Sequence, residues 1–382
     1  DLNYTGYNEN RGRNRSTVRK PLHTPRCVQI QEGRSRCYWL MDNGELYVVG
    51  ESSNGEMGIG TEQGDRNGTF RVHGLEDVKI IKVHCDQWSD NTNHTIAIDD
   101  KGTVWTWGYN DQGQIGDGRT QNKVAPYRIP AKYFDNEKII DICSTNRSTY
   151  ARTASDNIYA WGNNGIGQLG DTTTTDKYRP TKMQGWDPVA NNGIAVWAIN
   201  GNGDDGWVTL LDGNGYLWNC GENNYGNFAD GTTNNNTQLT KTEVAPGGDI
   251  VDIWVMYWNG YKTIYMRTKD GTCYHAGSSQ SYRIGGSGAQ GSTGTPTVMQ
   301  KVTNIKEAYV SGNYSDQGKA FWITDSGRSY CYGYDSRNSM VHPQAGTNWT
   351  GEDGNYYPFH WYTPAGAKVK TMHITSDDQG SS

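Results

Sequence analysis

Short runs of alternating apolar and polar residues recur along the chain, each closed by a polar, glycine-bearing stretch. One unit runs from Lys79 to Pro130. Lys79–His84 alternates, as does His94–Ile98; the turn Asp99–Gly102 follows, then the aromatic run Val104–Trp107, which stops at Gly108. A polar loop with glycines at 113, 116 and 118 leads to a last extended segment ending at Pro130. Period-2 patterning at these lengths predicts four β-strands per unit, joined as antiparallel neighbours.

The unit repeats. First strands are predicted at 27–31, 79–84, 138–143, 195–199, 250–255, 305–310 and 369–374, and second strands at 36–41, 94–98, 149–153, 207–211, 263–267 and 319–324. The glycines that end the third strands are Gly6, Gly50, Gly108, Gly162, Gly221, Gly277 and Gly333, and the last six are spaced 54 to 59 residues apart. A period of this size over nearly the whole chain predicts a closed array of blades. An aromatic stands three residues before six of these glycines, as Tyr47, Trp105, Tyr159, Trp218, Tyr274 and Tyr330, with a second same-face position two residues on. These read as one repeated core layer, with Trp105, Tyr159, Trp218 and Tyr274 buried.

The ends hold complementary parts of one blade. Leu2–Gly6 matches a third strand and Val18–His23 a fourth, while Val369–Ile374 supplies a first. The expected fold is therefore all-β: a seven-bladed β-propeller of four-stranded antiparallel blades, a single domain over 1–382, the last blade shared by the two termini. No second strand for that blade lies between Ile374 and Ser382, and none precedes Leu2. The expectation is a piece of a larger chain.

Composition agrees with many short strands and turns: 49 Gly, 14 Trp and 25 Tyr among 382 residues, whose large rings make up for a hydrophobic fraction of only 34%. No apolar run reaches 18 residues. A net charge of −6 argues against a nucleic-acid surface, and the basic run Arg11–Lys20 reads as a solvated loop. Seven cysteines without a CxxC pair read as reduced core residues, folded in a reducing cytoplasm.

No catalytic constellation stands out, and no cofactor is expected. Gly165–Gly170 (GIGQLG) matches GxGxxG, but no helix signal follows, and parallel loops recur in other repeats. The eight histidines fall singly, and the matched pair His84 and His373 reads as packing. Asp86, Asp90, Asp204, Asp205, Asp316, Asp377 and Asp378 all lie between first and second strands, which places them on one acidic face. Without EF-type spacing they read as solvated loop acids ahead of a calcium site. Asn-x-Ser/Thr triplets are expected from asparagine abundance and are not read as glycosylated. The longest departure from the repeat, 341–356, is the candidate contact loop, with Trp349, Glu352, Asp353 and Tyr356, and with Tyr357 directly after it.

The signature aromatic-x-aromatic/small-Gly-x-Asn-x-x-Gly-Gln-Leu/Ile-Gly, at 105–116 and 159–170, resembles the repeats of the regulator of chromosome condensation family. The resemblance implies a seven-bladed propeller. That family's nucleotide exchange on a small GTPase is not implied, because no matching wedge segment is found. Members also occur in bacteria and phages as surface or virion modules. Two functions are carried forward. The first is a non-catalytic interaction module, either a phage tail- or fibre-associated virion component or a bacterial surface adhesin, contacting proteins or surface glycans. The alternative is an exchange factor or regulatory scaffold for a small GTPase, in the cytoplasm.

Overall fold

A computed structural model of the chain describes residues 24–33, 35–62, 68–85, 93–200, 205–243, 246–258, 261–278, 292–311, 319–326, 329–333 and 359–360. These form six four-stranded antiparallel sheets. The first blade comprises β1 (Cys27–Glu32), β2 (Arg36–Met41), β3 (Leu46–Gly50) and β4 (Phe70–Arg71); the second, β5 (Ile80–Cys85), β6 (His94–Asp99), β7 (Val104–Gly108) and β8 (Lys123–Arg128). The third holds β9 (Ile139–Ser144), β10 (Ser148–Thr153), β11 (Ile158–Gly162) and β12 (Lys177–Lys182); the fourth, β13 (Ile194–Asn200), β14 (Trp207–Asp212), β15 (Leu217–Gly221) and β16 (Asn236–Lys241). The fifth has β17 (Ile250–Trp258), β18 (Tyr261–Thr268), β19 (Thr272–Ser278) and β20 (Ser292–Thr303); the sixth, β21 (Ile305–Ser311), β22 (Lys319–Thr324), β23 (Ser329–Gly333) and β24 (Phe359–His360). Strand order within each blade follows the chain, as the four-strand repeat predicts. The seventh blade expected from residues 2–23 and 369–374 lies outside the described residues.

Strand-end glycines are required by the backbone. Gly50, Gly108, Gly162, Gly221 and Gly277 all have φ between 93° and 124°. At Gly162 an added Cβ would sit 2.2 Å from the Arg147 carbonyl oxygen, so any side chain there forces the second and third strands apart.

The repeated aromatic layer is the contact between blades. Trp107 packs with Tyr38, Val48 and Met57 of the first blade, and Tyr159 and Trp161 pack with Ile96, Ile98 and Val104 of the second. Burial at the two same-face positions differs from the sequence expectation. Trp107, Trp161, Cys220 and Ala276, one residue before the glycine, are fully buried, whereas Trp105, Trp218 and Tyr274, three before, are half-buried. The blade gap is filled near the glycine by the preceding blade's loop, and at its other end only by the connection between blades. Where that connection carries a one-turn helix, Ala131–Phe134, Phe134 sits edge-on to Tyr159 at 5.4 Å and buries it. Trp105 instead keeps its indole at the surface, bonded to the Asp99 carboxylate at 3.2 Å, and Trp218 bonds Asp212 at 2.9 Å.

First strands of successive blades stand side by side, tied by polar side chains. Gln29 bonds Val83 through both amide atoms, at 2.7 and 3.2 Å; Lys82 pairs with Asp141; and Trp197 reaches the same Asp141 at 2.8 Å. His84 accepts the Ser144 N–H at 3.1 Å, so it joins two blades. The expectation of core cysteines holds for Cys85, Cys220 and Cys273, all buried, but not for Cys27, which is exposed among the described residues. Val28 and Ile30 beside it are 62% and 60% exposed, whereas Val83, the counterpart of Ile30, is buried against a neighbouring blade.

Candidate interaction face

Antiparallel order sends two loops of every blade, between strands one and two and between strands three and four, to the same face. The longer loop is built by the signature residues. Asn110 is fully buried; it accepts the Ile115 N–H at 2.9 Å and donates to the carbonyls of Arg119 and Gln121 at 3.1 and 2.9 Å. Asn164 and Asn223 repeat the arrangement with the Leu169 and Phe228 amides, both at 2.9 Å. These asparagines were given no role in the sequence reading, although their fixed place in the signature is the trace of it.

The loop is then fastened to the next blade at two points. The Glu56 carbonyl accepts the Trp107 indole N–H at 2.9 Å, and the Gln114 carbonyl accepts that of Trp161 at 2.8 Å. Further out, the N–H groups of Gly60, Gly118, Thr172 and Gly231 donate to Val124, Tyr178, Thr237 and Gly294 on the fourth strand of the following blade, at 2.7–2.9 Å. Backbone groups that a loop would leave to water are satisfied across the blade boundary, which holds the face rigid. Its tips vary from repeat to repeat: Ser53 and Asn54, Asp111 and Gln112, Gly165 and Ile166, Asn224 and Tyr225. Asp111 and Arg147 both lie within electrostatic reach of Tyr109, and partial burial, then Asp111, push its phenol upward.

The expected acidic face is only partly described. Asp86, Asp90, Asp204, Asp316, Asp377 and Asp378 lie outside the described residues, as do Trp349, Glu352, Asp353, Tyr356 and Tyr357 of the expected contact loop. Asp205 is described, and it is not the free, solvated acid expected. Its carboxylate is 3.7 Å from the Lys262 ammonium, which is fully buried and also paired with Glu222 beside the Tyr225 ring. A buried cation from the fifth blade thus neutralises acids of the fourth. The first blade has a comparable pair, Arg36 and Glu56, both buried at 3.9 Å. His94, buried under this face and held near pKa 3 by that burial, is neutral, its Nε2 against the Thr149 hydroxyl at 2.6 Å. Among the described residues no His, Cys, Asp and Glu group has a metal-binding arrangement.

Six repeated four-stranded sheets, packed blade on blade with the variable chemistry on loops, define a β-propeller of interaction type. The chain contains repeats of the regulator of chromosome condensation type: that repeat model matches residues 101–151 and 155–190. It is 23% identical over 264 residues to the human E3 ubiquitin-protein ligase HERC2, covering 69% of this chain and 5% of the ligase. With the Arabidopsis thaliana ultraviolet-B receptor UVR8 it is 23% identical over 306 residues, 80% of this chain and 64% of the receptor. The chain thus spans less than two thirds of either relative. Among solved structures it resembles yeast RCC1 (Prp20) in complex with Kap60, with a TM-score of 0.62 at 16% identity, covering 89% of this chain and 76% of that one. Prp20p of Saccharomyces cerevisiae has been described with its binding to Gsp1p and histones.

Proposed function

We propose that this chain is a non-catalytic binding module that holds partner proteins against its loop face, as a structural or host-attachment component of a phage virion or as a bacterial surface adhesin. The carrying observation is the division of labour in the loops. The signature residues Asn110, Gln114 and Trp161 are all spent on the scaffold, which leaves the tips to vary on a rigid frame. Exposed runs such as Thr172–Thr175 and Thr232–Asn235 give that frame a neutral, polar surface suited to contact outside a cell. A second reading, a regulator of a small GTPase, is supported by the fold shared with Prp20p.

Immunogold labelling of intact virions and of unpermeabilised cells from the source, with antibodies raised against this chain, separates the two. Label on the particle or cell exterior is expected. Label found only after permeabilisation overturns the attachment reading and favours the regulatory one.

A further inference from the structure

We propose that a cationic, tyrosine-framed patch between the second and third blades is a receptor for a carboxylate-rich segment of a partner protein. Its centre is Tyr133, in the one-turn helix after β8. The Arg179 guanidinium of β12 lies 5.0 Å from the centre of that ring and donates to the Tyr133 hydroxyl. The Lys132 ammonium stands 5.3 Å from the same ring. Arg179 also lies against Gly118, where a Cβ would come within 2.4 Å of its Nη2, and Gly118 is itself fixed to the Tyr178 carbonyl at 2.7 Å. Arg119, the next residue, adds a second exposed guanidinium beside the half-buried Tyr127, which senses both arginines.

Two features make this a binding patch instead of an ordinary solvated surface. Elsewhere Arg71 has Glu45 at 3.2 Å, Arg152 has Asp156 at 2.7 Å and Arg267 has Asp252 at 3.6 Å as carboxylate partners. Among the described residues Arg119, Lys132 and Arg179 have none, and Asp117, which acts on Tyr127 beside them, is taken by Lys123 at 2.8 Å. Like charges are therefore gathered around an aromatic ring, with one guanidinium already fixed in place. A fixed fork loses little freedom on binding a carboxylate bidentately.

The scale of the patch selects the partner. Three cations in a chain of net charge −6 fall short of the long basic track that nucleic acid requires. Screening over about 8 Å at physiological salt lets a patch this small act independently of that net charge. Pro126 and Pro180 remove backbone donors from β8 and β12, so an incoming segment is not added as a strand and is read by side chains. The proposal rests on the binding-module reading only for the partner's being a protein.

The test is fluorescence anisotropy of a labelled deca-glutamate peptide with the intact chain, beside a labelled thymidine decamer. Binding of the peptide that weakens with salt is expected. Loss of at least about ten-fold is expected in Arg119→Gln/Arg179→Gln and a smaller loss in Arg119→Glu, at a position whose side chain makes no hydrogen bond among the described residues. Lys269→Gln, at a turn of the fifth blade and so away from this patch between the second and third blades, should bind as the parent does. No salt-sensitive binding, equal loss in all three variants, or tighter binding of the decamer overturns the proposal. None of these results bears on exterior labelling, so the two readings fail separately.

Discussion

Replacing Trp161 by alanine is expected to cost about 3–5 kcal/mol of stability, the range for removing a fully buried large side chain. The indole is completely buried between the second and third blades and stacks at a tilt on Phe134 at 6.0 Å. Its N–H closes on the Gln114 carbonyl at 2.8 Å, so the variant loses ring contacts and one of that carbonyl's two donors, the Thr149 hydroxyl at 2.7 Å remaining. Trp105→Ala, at a half-buried indole on the same face of the neighbouring repeat, should cost about half as much or less. Urea denaturation of the two variants checks the ranking. Equal losses would mean that the layer is not organised around the residue next to the glycine.

The second large effect is electrostatic. Glu222→Ala is expected to cost about 3–5 kcal/mol, because it removes the closest carboxylate from the buried Lys262 and leaves the ammonium with Asp205 at 3.7 Å. Replacing both partners, as Lys262→Met with Glu222→Gln, should come within about 1–2 kcal/mol of the parent, since the buried charge is gone. A thermodynamic cycle over the two single variants and the double reads the coupling directly. A Glu222→Ala loss below about 1 kcal/mol would show that the pair carries no burden at this position.

These two cases mark what was legible in the sequence and what was not. Strand-end glycines such as Gly50 and Gly162 were legible because positive φ and a carbonyl 2.2 Å from a missing Cβ admit no other residue. The four-strand order was legible for the same local reason, since alternation and turns are set by neighbours in the chain. Choosing between Trp105 and Trp107 needed the depth of the gap between blades, which depends on a loop around fifty residues earlier. Asp205 looked like a solvated acid because its lysine comes from the next repeat, far along the chain but adjacent in space. The same holds for Arg119, Tyr133 and Arg179, which come from a loop, a one-turn helix and an outer strand, and meet only across a blade boundary.

The claim at the centre is that one face, carried on a rigid propeller, binds protein. Site-specific photo-crosslinking tests it most directly. A benzophenone side chain would be placed at Ile166, a loop tip of the third blade, or at Val189, 90% exposed in the connection on the opposite face. Each intact variant would be irradiated in an extract of the source. A discrete protein adduct at 166, reproducible and absent at 189, is the predicted result. No adduct at 166, or the same adducts at both positions, would contradict it.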